Sequence, residues 1–363
     1  MKFAQACWYT PDYGGTFIAN MTALRDWIES RDASNEVIFV FPEAAATRAW
    51  CHELQQHGRV LFCPSGYAAI NRFFYRLCRD EHLDVLHLHF FDIRSTVWVK
   101  PFTHTRVFYH MHSSMPPMGT KRRVLNRIKN ALCLPTVTRV LCCSQAVKDS
   151  LVAAHYPASK CAVVINRLNY KRFDAVALSD PFLQADAPQP QNNFIIFGTH
   201  FHRKGVDLAL KAIEPIVDEY NIVLHIFTNT LEKTWNDVTA VMGNRPAWVQ
   251  VHPTTEHIAD YYRASSLLLS PSRNEGFCYA NFEAMYCLCP VVKTNIPSMV
   301  YDIENEEEIT FDGSIEDLRE HILHFLTMPK EELDQKLHQW KQEAVNKFSI
   351  ERWCEELYHH YTT

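Results

Sequence analysis

The chain predicts two doubly wound α/β domains joined by a proline-containing linker, and three observations lead there. Its 363 residues suit about two domains at roughly 150 residues each. Short apolar runs alternate with amphipathic segments through both halves. Between the halves, residues 174–193 hold three prolines and little periodicity, as a linker would.

In the first half, 36–40, 60–63, 85–89, 106–112, 139–143 and 161–165 read as buried strands, and 17–30, 45–57, 68–81 and 145–155 carry apolar residues at helical spacing. Such repeated βα units imply a parallel sheet. After the linker the alternation resumes, with strands at 193–197, 223–227, 249–252, 267–270 and 291–294. Helices are expected at 205–220, 231–242, 255–264 and 280–287. At the end of the chain, Ile350, Trp353, Leu357 and Tyr361 recur at helical spacing and need an apolar surface to cover. The expected division is therefore 1–173, a linker at 174–193, 194–347, and a terminal helix at 348–363. Ligands of doubly wound sheets sit at strand C-terminal ends, so two such domains should face a cleft that holds the function.

Composition narrows the function classes. With 47% hydrophobic and 21% charged residues the chain is not disordered, and a net charge of −5 gives no general field for nucleic acid. The twelve cysteines are scattered without a C-x-x-C pair, which reads as reduced thiols in a cytosol. The first fifteen residues hold one lysine and a broken apolar run, unlike a signal peptide, and no stretch reaches about 18 apolar residues. A soluble or peripheral protein is expected.

The most informative segment is SPSRNEGFCYANFEAM, 270–285, between a strand and a helix start. Seven residues separate Glu275 from Glu283. Backbone N–H groups at Gly276, Phe277 and Cys278 open the helix and can cradle a phosphate, while a carboxylate on its first turns can accept both hydroxyls of a ribose. Glu275, in the loop, can reach sugar hydroxyls. The alternative is a surface helix whose acidic residues complement its dipole.

This segment resembles the E-x7-E motif of the family-4 retaining glycosyltransferases, a GT-B group with two Rossmann-like domains. FGTHFHRKGVDLAL resembles the family's K-G motif, TRVLCCSQAVKDSL its first-domain closing strand and helix, and FSIERWCEELYHHY its C-terminal helix, which crosses back to the first domain. The resemblance implies that Lys204 and Arg203 hold the donor diphosphate, Glu283 the ribose and Glu275 the donor sugar. It also implies a glycine-rich first loop at Gly14 and Gly15, where the backbone approaches donor or acceptor, and places His112 near the transferred sugar. His112, Lys204 and Glu275 are thus the expected catalytic residues. Several positions depart from the family pattern: Asn166, Arg167 and Asn169 replace an Asn-Gly…Asp run, Cys278 and Leu288 replace glycines, and Thr199 replaces an arginine.

Two histidine pairs, His87/His89 and His110/His112, have the period-2 spacing of one strand face. No carboxylate motif completes a metal site, although Asp92 is near in sequence, so no metal and no cofactor is expected. Finally, 119–135 alternates Lys121, Arg122, Arg123, Arg127 and Lys129 with apolar residues at helical spacing. Such a helix fits an anionic membrane surface, or else packs on the sheet with a solvated basic face. The resemblance implies transfer of a sugar from a nucleotide-diphosphate sugar to a glycan or glycolipid, in cell-surface polysaccharide or lipopolysaccharide biosynthesis. The expected location is the cytoplasm or the inner face of the plasma membrane. The competing expectation is a non-catalytic GT-B subunit that binds a nucleotide sugar or a partner enzyme; a zinc hydrolase built on the paired histidines is a further rival.

Overall fold

The computed structural model describes residues 1–115, 119–175, 181–182 and 192–363. They divide into two compact units, Met1–Asn169 with Ile350–Thr363, and Tyr170–Ser349. Most of the linker expected at 174–193 lies outside the described residues. Residues 170–173, expected in the first domain, pack with the second unit. Tyr170 Oη donates to Ala344 O at 3.1 Å, its ring stacks on Tyr286, and Arg263 donates to Phe173 O.

Unit 1 runs β1 (Lys2–Cys7), α1 (Gly15–Arg31), β2 (Glu36–Pro42), α2 (Ala49–His57), β3 (Val60–Cys63), α3 (Tyr67–Asp80), β4 (Val85–His89), β5 (Arg106–Met111), α4 (Thr120–Cys133), β6 (Arg139–Cys142), α5 (Gln145–Ala153) and β7 (Cys161–Val163). Its seven strands pair in parallel in the order β3-β2-β1-β4-β5-β6-β7. Unit 2 runs β8 (Asn192–Phe197), α6 (Val206–Ile213), β9 (Ile222–Thr228), α7 (Leu231–Met242), β10 (Val249–Pro253), α8 (Ile258–Ala264), β11 (Leu267–Ser270), α9 (Tyr279–Tyr286), β12 (Val291–Thr294), β13 (Thr310–Phe311), α10 (Ile315–Thr327) and α11 (Lys330–Lys347). Its sheet order is β10-β9-β8-β11-β12-β13, again parallel. The chain then enters α12 (Ile350–Thr362), which belongs to unit 1. The fold is α/β with two parallel sheets.

One side of the unit 1 sheet packs Phe3, Val85, Phe108 and Leu141 against α1, α2 and α12. Trp353, Leu357 and Tyr361 of α12 are completely enclosed there, which explains their helical spacing. Arg167, one of the departures from the family pattern, holds this helix through Glu356 at 2.6 Å.

Three differences from the sequence expectation have physical causes. The central strand β1 escaped notice because Gln5 breaks its apolar run, yet Gln5 is buried and its amide donates to Tyr361 Oη at 3.2 Å. The helix expected over 205–220 stops at Ile213, because Pro215 in the following 3-10 turn has no N–H to continue the ladder. Leu288, a glycine in the family pattern, has φ +60° just after α9. The position is thus a helix C-terminus, where a left-handed residue is favoured.

Candidate functional site

Both sheets reverse their strand order between neighbours that each begin a βα unit, β1 and β4 in unit 1 and β8 and β11 in unit 2. Loops leaving such neighbours lie side by side at the carboxyl ends of the strands, where open α/β sheets bind ligands. In unit 2 these loops are 198–205 and 271–278.

The two loops are stapled together. Arg273 N donates to Arg203 O at 2.8 Å, and the Arg273 guanidinium reaches both Asp207 carboxylate oxygens at 2.7 and 2.8 Å. Gly205 makes the close approach possible. Its φ is +70°, and a Cβ there would lie 1.9 Å from Pro271 O.

This staple brings the K-G lysine to the first glutamate. Lys204 Nζ lies 2.7 Å from Glu275 Oε1, Arg203 donates to Glu275 Oε2 at 3.2 Å, and Ser272 Oγ donates to Oε1 at 3.0 Å. Burial pushes the Glu275 carboxyl up, but Lys204 and Arg203 more than offset it and hold it below its ordinary value. Burial likewise pulls Lys204 down, and Cys278 and Glu275 reverse that, leaving it above its ordinary value. The pair is therefore ionised at neutral pH. Thr199 lies half-buried in the same loop, and the guanidinium at this site comes from Arg203 instead.

The helix after this loop, α9, offers the second half of the motif. Among the described residues, the N–H groups of Gly276, Phe277 and Cys278 have no protein acceptor, so they remain available to an anion. Phe277 stacks on Phe282 at 5.0 Å, and the buried Cys278 thiol contacts Ser270 and Asn281. Glu283 sits on the second turn, 8% exposed, where Tyr262 Oη donates to it at 3.1 Å. Burial and the Glu283 charge push the Tyr262 hydroxyl well up, so it stays a donor. Ser272, Arg273 and Tyr262 were not singled out from the sequence; only the position of the first two inside the motif hinted at them.

In unit 1, Gly14 and Gly15 start α1 beyond β1, with Gly15 at φ +56°. His112 follows β5 and lines an open pocket of about 410 Å³ with Phe90, Asp92, Met111, Lys129 and Tyr156 among its walls. Both ring nitrogens of His112 already have partners. Nε2 meets His89 Nδ1 at 3.0 Å, and Nδ1 meets the Asn166 amide at 3.4 Å. A ligand hydroxyl at this imidazole would therefore take over one of those bonds. Burial, then His110 and His89, push His112 well below its ordinary pKa, so the ring is neutral.

His87, His89 and His110 bring one ring nitrogen each to within 4.8 Å of one another. Their rings lie side by side in the core, with His87 Nδ1 bonded to Tyr361 Oη at 2.5 Å. Asp92 caps the next 3-10 turn and accepts from Arg94 Nε at 2.7 Å.

Comparison with known proteins fits this geometry. The profile of Glycosyltransferase Family 4 matches residues 28–171, and that of Glycosyl transferases group 1 matches 191–328. The chain belongs to the family-4 glycosyltransferases of GT-B type. An uncharacterized glycosyltransferase of Methanocaldococcus jannaschii is 30% identical over 172 residues, which cover 44% of this chain and 45% of that relative. Among solved structures, a glycosyltransferase from Rickettsia africae shares the fold at a TM-score of 0.78, with 14% identity over 99% of this chain and 97% of that one. HepE of Anabaena, solved with UDP and glucose, gives 0.76 and 14% identity over 100% and 99%. The lipopolysaccharide outer core galactosyltransferase WaaB gives 0.65 and 16% over 99% and 98%. Within this family-4 glycosyltransferase, the two profile matches leave β1, most of α1, α11 and α12 outside them.

Helix α4 differs from one of its two expected arrangements. Its inward side is polar, with Asn126 and Asn130 donating to Ala154 O from beneath the helix. Its apolar side faces outward: Val124, Leu125 and Ile128 are more than half exposed and Leu132 is 71% exposed. Packing on the sheet through the apolar face is thereby overturned. No helix among the described residues is long and apolar enough to cross a membrane.

Proposed function

We propose that the protein moves a sugar from a nucleotide-diphosphate sugar to a hydroxyl of a glycan or lipid-linked glycan, with retention at the anomeric carbon. The observation that carries this is the meeting of Lys204, Arg203 and Glu275 beside the free N–H groups that open α9. Lys204 and Arg203 neutralise the leaving diphosphate, where charge develops as the glycosidic C–O bond breaks. They take the part that a divalent cation would otherwise have, so no metal is needed in this reading. Glu283, oriented by Tyr262, accepts the ribose hydroxyls, and Glu275 accepts from hydroxyls of the donor sugar. The acceptor hydroxyl forms the new C–O bond on the face the diphosphate leaves, and its proton passes to a diphosphate oxygen. No glycosidase-type pair of carboxylates is required.

The UDP-bound HepE structures make UDP-sugars the first donors to test, and WaaB supports cell-surface polysaccharide or lipopolysaccharide as the setting. Unit 1 takes the acceptor; His112 meets a hydroxyl of the transferred sugar or the departing phosphate, and the backbone at Gly14 and Gly15 approaches the donor phosphate or the acceptor. The exposed apolar face of α4, flanked by Arg122, Arg123 and Arg127, rests on an anionic membrane at the cytoplasmic face and so presents unit 1 to a lipid-linked acceptor. The test is turnover of a panel of nucleotide-diphosphate sugars with lipid-linked and free glycans, followed by nucleotide release and by NMR of the new linkage. An anomeric configuration equal to the donor's is expected; inversion, or donor binding without any transfer, would overturn the reading.

A further inference from the structure

A second basic surface lies on unit 1, on helix α3. Its inward side carries Ile70, Phe74 and Leu77, which are buried. Arg72, Arg76 and Arg79 follow at spacings of four and three, so they share the outward side. Together with Tyr75, Trp98 and Phe102 they line an open groove of about 440 Å³. Phe102 is 68% exposed and Trp98 42%, and Phe102 meets the Tyr75 ring edge-on at 5.9 Å. Arg79 pairs with Asp80 at 2.7 Å, whereas Arg72 and Arg76 form no salt bridge among the described residues.

This groove adjoins α4, because the 3-10 turn Ile93–Thr96 packs against both helices. The span 67–133 holds eleven Lys and Arg against four Asp and Glu, inside a chain whose net charge is −5. It also carries eight of the twelve large hydrophobic side chains that stand exposed among the described residues. Exposed apolar side chains so concentrated in one stretch of chain, with cations between them, mark an interaction site rather than ordinary solvated surface.

We infer that this groove docks the headgroups of anionic phospholipids, giving unit 1 a second foothold on the membrane beside α4. The inference rests on the membrane reading of α4 and adds a separate site to it. Guanidinium groups match the phosphate oxygens, Trp98 suits the headgroup boundary, where rings with one polar edge settle, and Phe102 suits the apolar side of that boundary. Nucleic acid would engage the arginines and aromatic rings but leave the aliphatic face of α4 uncovered, so a lipid surface satisfies more of what is exposed.

The test is co-sedimentation with phosphatidylglycerol-containing vesicles and with phosphatidylcholine vesicles, using wild type, Arg72→Gln with Arg76→Gln, and Trp98→Ser with Phe102→Ser. A fourth protein, Arg122→Gln with Arg123→Gln and Arg127→Gln, reports on α4 alone. Both groove variants should weaken binding to the anionic vesicles by about tenfold or more at unchanged melting temperature, and the arginine variant should flatten the salt dependence. Wild-type binding by the groove variants, with loss only in the α4 variant, overturns the groove and leaves α4 standing. Undiminished binding by all variants overturns both readings. Binding of single-stranded oligonucleotide but not of vesicles, lost in the arginine variant, replaces lipid with nucleic acid and also overturns the inference.

Discussion

The polar clusters at the two sites are buried in opposite ways, although away from its site unit 2 also encloses a neutral pair, His225 and His252, joined at 2.9 Å. Unit 2 encloses charges and pairs them: Glu275 has Lys204, Arg203 and Ser272, and the buried Lys293 has Glu306 at 2.8 Å. Unit 1 encloses neutral imidazoles and leaves much of their capacity unused. Among the described residues the Nε2 atoms of His87 and His89 have no hydrogen-bond partner, and burial pushes His87, His89, His110 and His112 down, His110 to about 3. Charge that is already paired can be handed to a charged ligand with little reorganisation. Neutral rings instead fix shape at the strand ends and resist protonation.

The comparison breaks most sharply at α12, which caps the histidine-rich core of unit 1. Trp353→Ala should destabilise the protein by about 3 to 5 kcal/mol, as large-to-small core changes do. A chain ending at Lys347 should lose more, read as a fall in melting temperature together with turnover. Retention of both would show that the core does not depend on the helix.

Next in size, Lys204→Ala should lower turnover by about a hundredfold or more, since a positioned cation at a developing anion contributes a few kcal/mol. It also leaves Glu275 buried with one cation fewer. Turnover within a few-fold of wild type would remove the lysine from the diphosphate.

The pH dependence separates the two kinds of burial. A histidine whose folded pKa lies below its ordinary 6.5 contributes stability that is present above about pH 6.5 and is lost as pH falls toward the folded value. Each such ring adds a slope of about 1.4 kcal/mol per pH unit below 6.5. His110→Asn should therefore reduce the slope between pH 6 and 5 by about one proton, measured by denaturant melts across that range. The Glu275–Lys204 pair behaves differently. Glu275, lowered, loses its contribution as pH falls below about 4.5, and Lys204, raised, loses its own as pH rises above about 10.5. Glu275→Gln should thus leave the slope between pH 6 and 5 unchanged.

The smallest effect tests a departure from the family pattern. Leu288 holds a left-handed conformation that glycine adopts freely, so Leu288→Gly should stabilise the protein by about 1 kcal/mol. A loss of stability would mean that the leucine side chain gains more in packing than its backbone costs.

The sequence showed these features unevenly. Strands 60–63, 85–89, 267–270 and 291–294 and helix 231–242 appear with the bounds expected, each strand carrying two or more apolar residues that outweigh a polar one such as His87 or Lys293. β1 did not, since one buried glutamine interrupts it. α10 and α11 lie in a charge-dense stretch and were not among the expected helices. At the site, residue types were legible and contacts were not. Lys204 and Glu275 meet across 71 positions only because β8 and β11 are neighbours in the sheet. The period-2 histidines were visible on each strand, whereas the bond from His89 to His112 depends on the register that sets His89 opposite His110. The outward apolar face of α4 was equally out of reach, because helical spacing shows that a face exists but not which way it points.

The central claim is that unit 2 holds a nucleoside diphosphate between the Lys204 cluster and Glu283. Calorimetric titration of UDP, GDP and ADP into wild type, Lys204→Ala and Glu283→Ala tests it most directly. One nucleotide should bind the wild type, and both variants should bind it at least about tenfold more weakly, the loss of one charge-assisted hydrogen bond or more. Equal affinity in all three proteins, or no binding of any nucleotide to the wild type, would contradict the account.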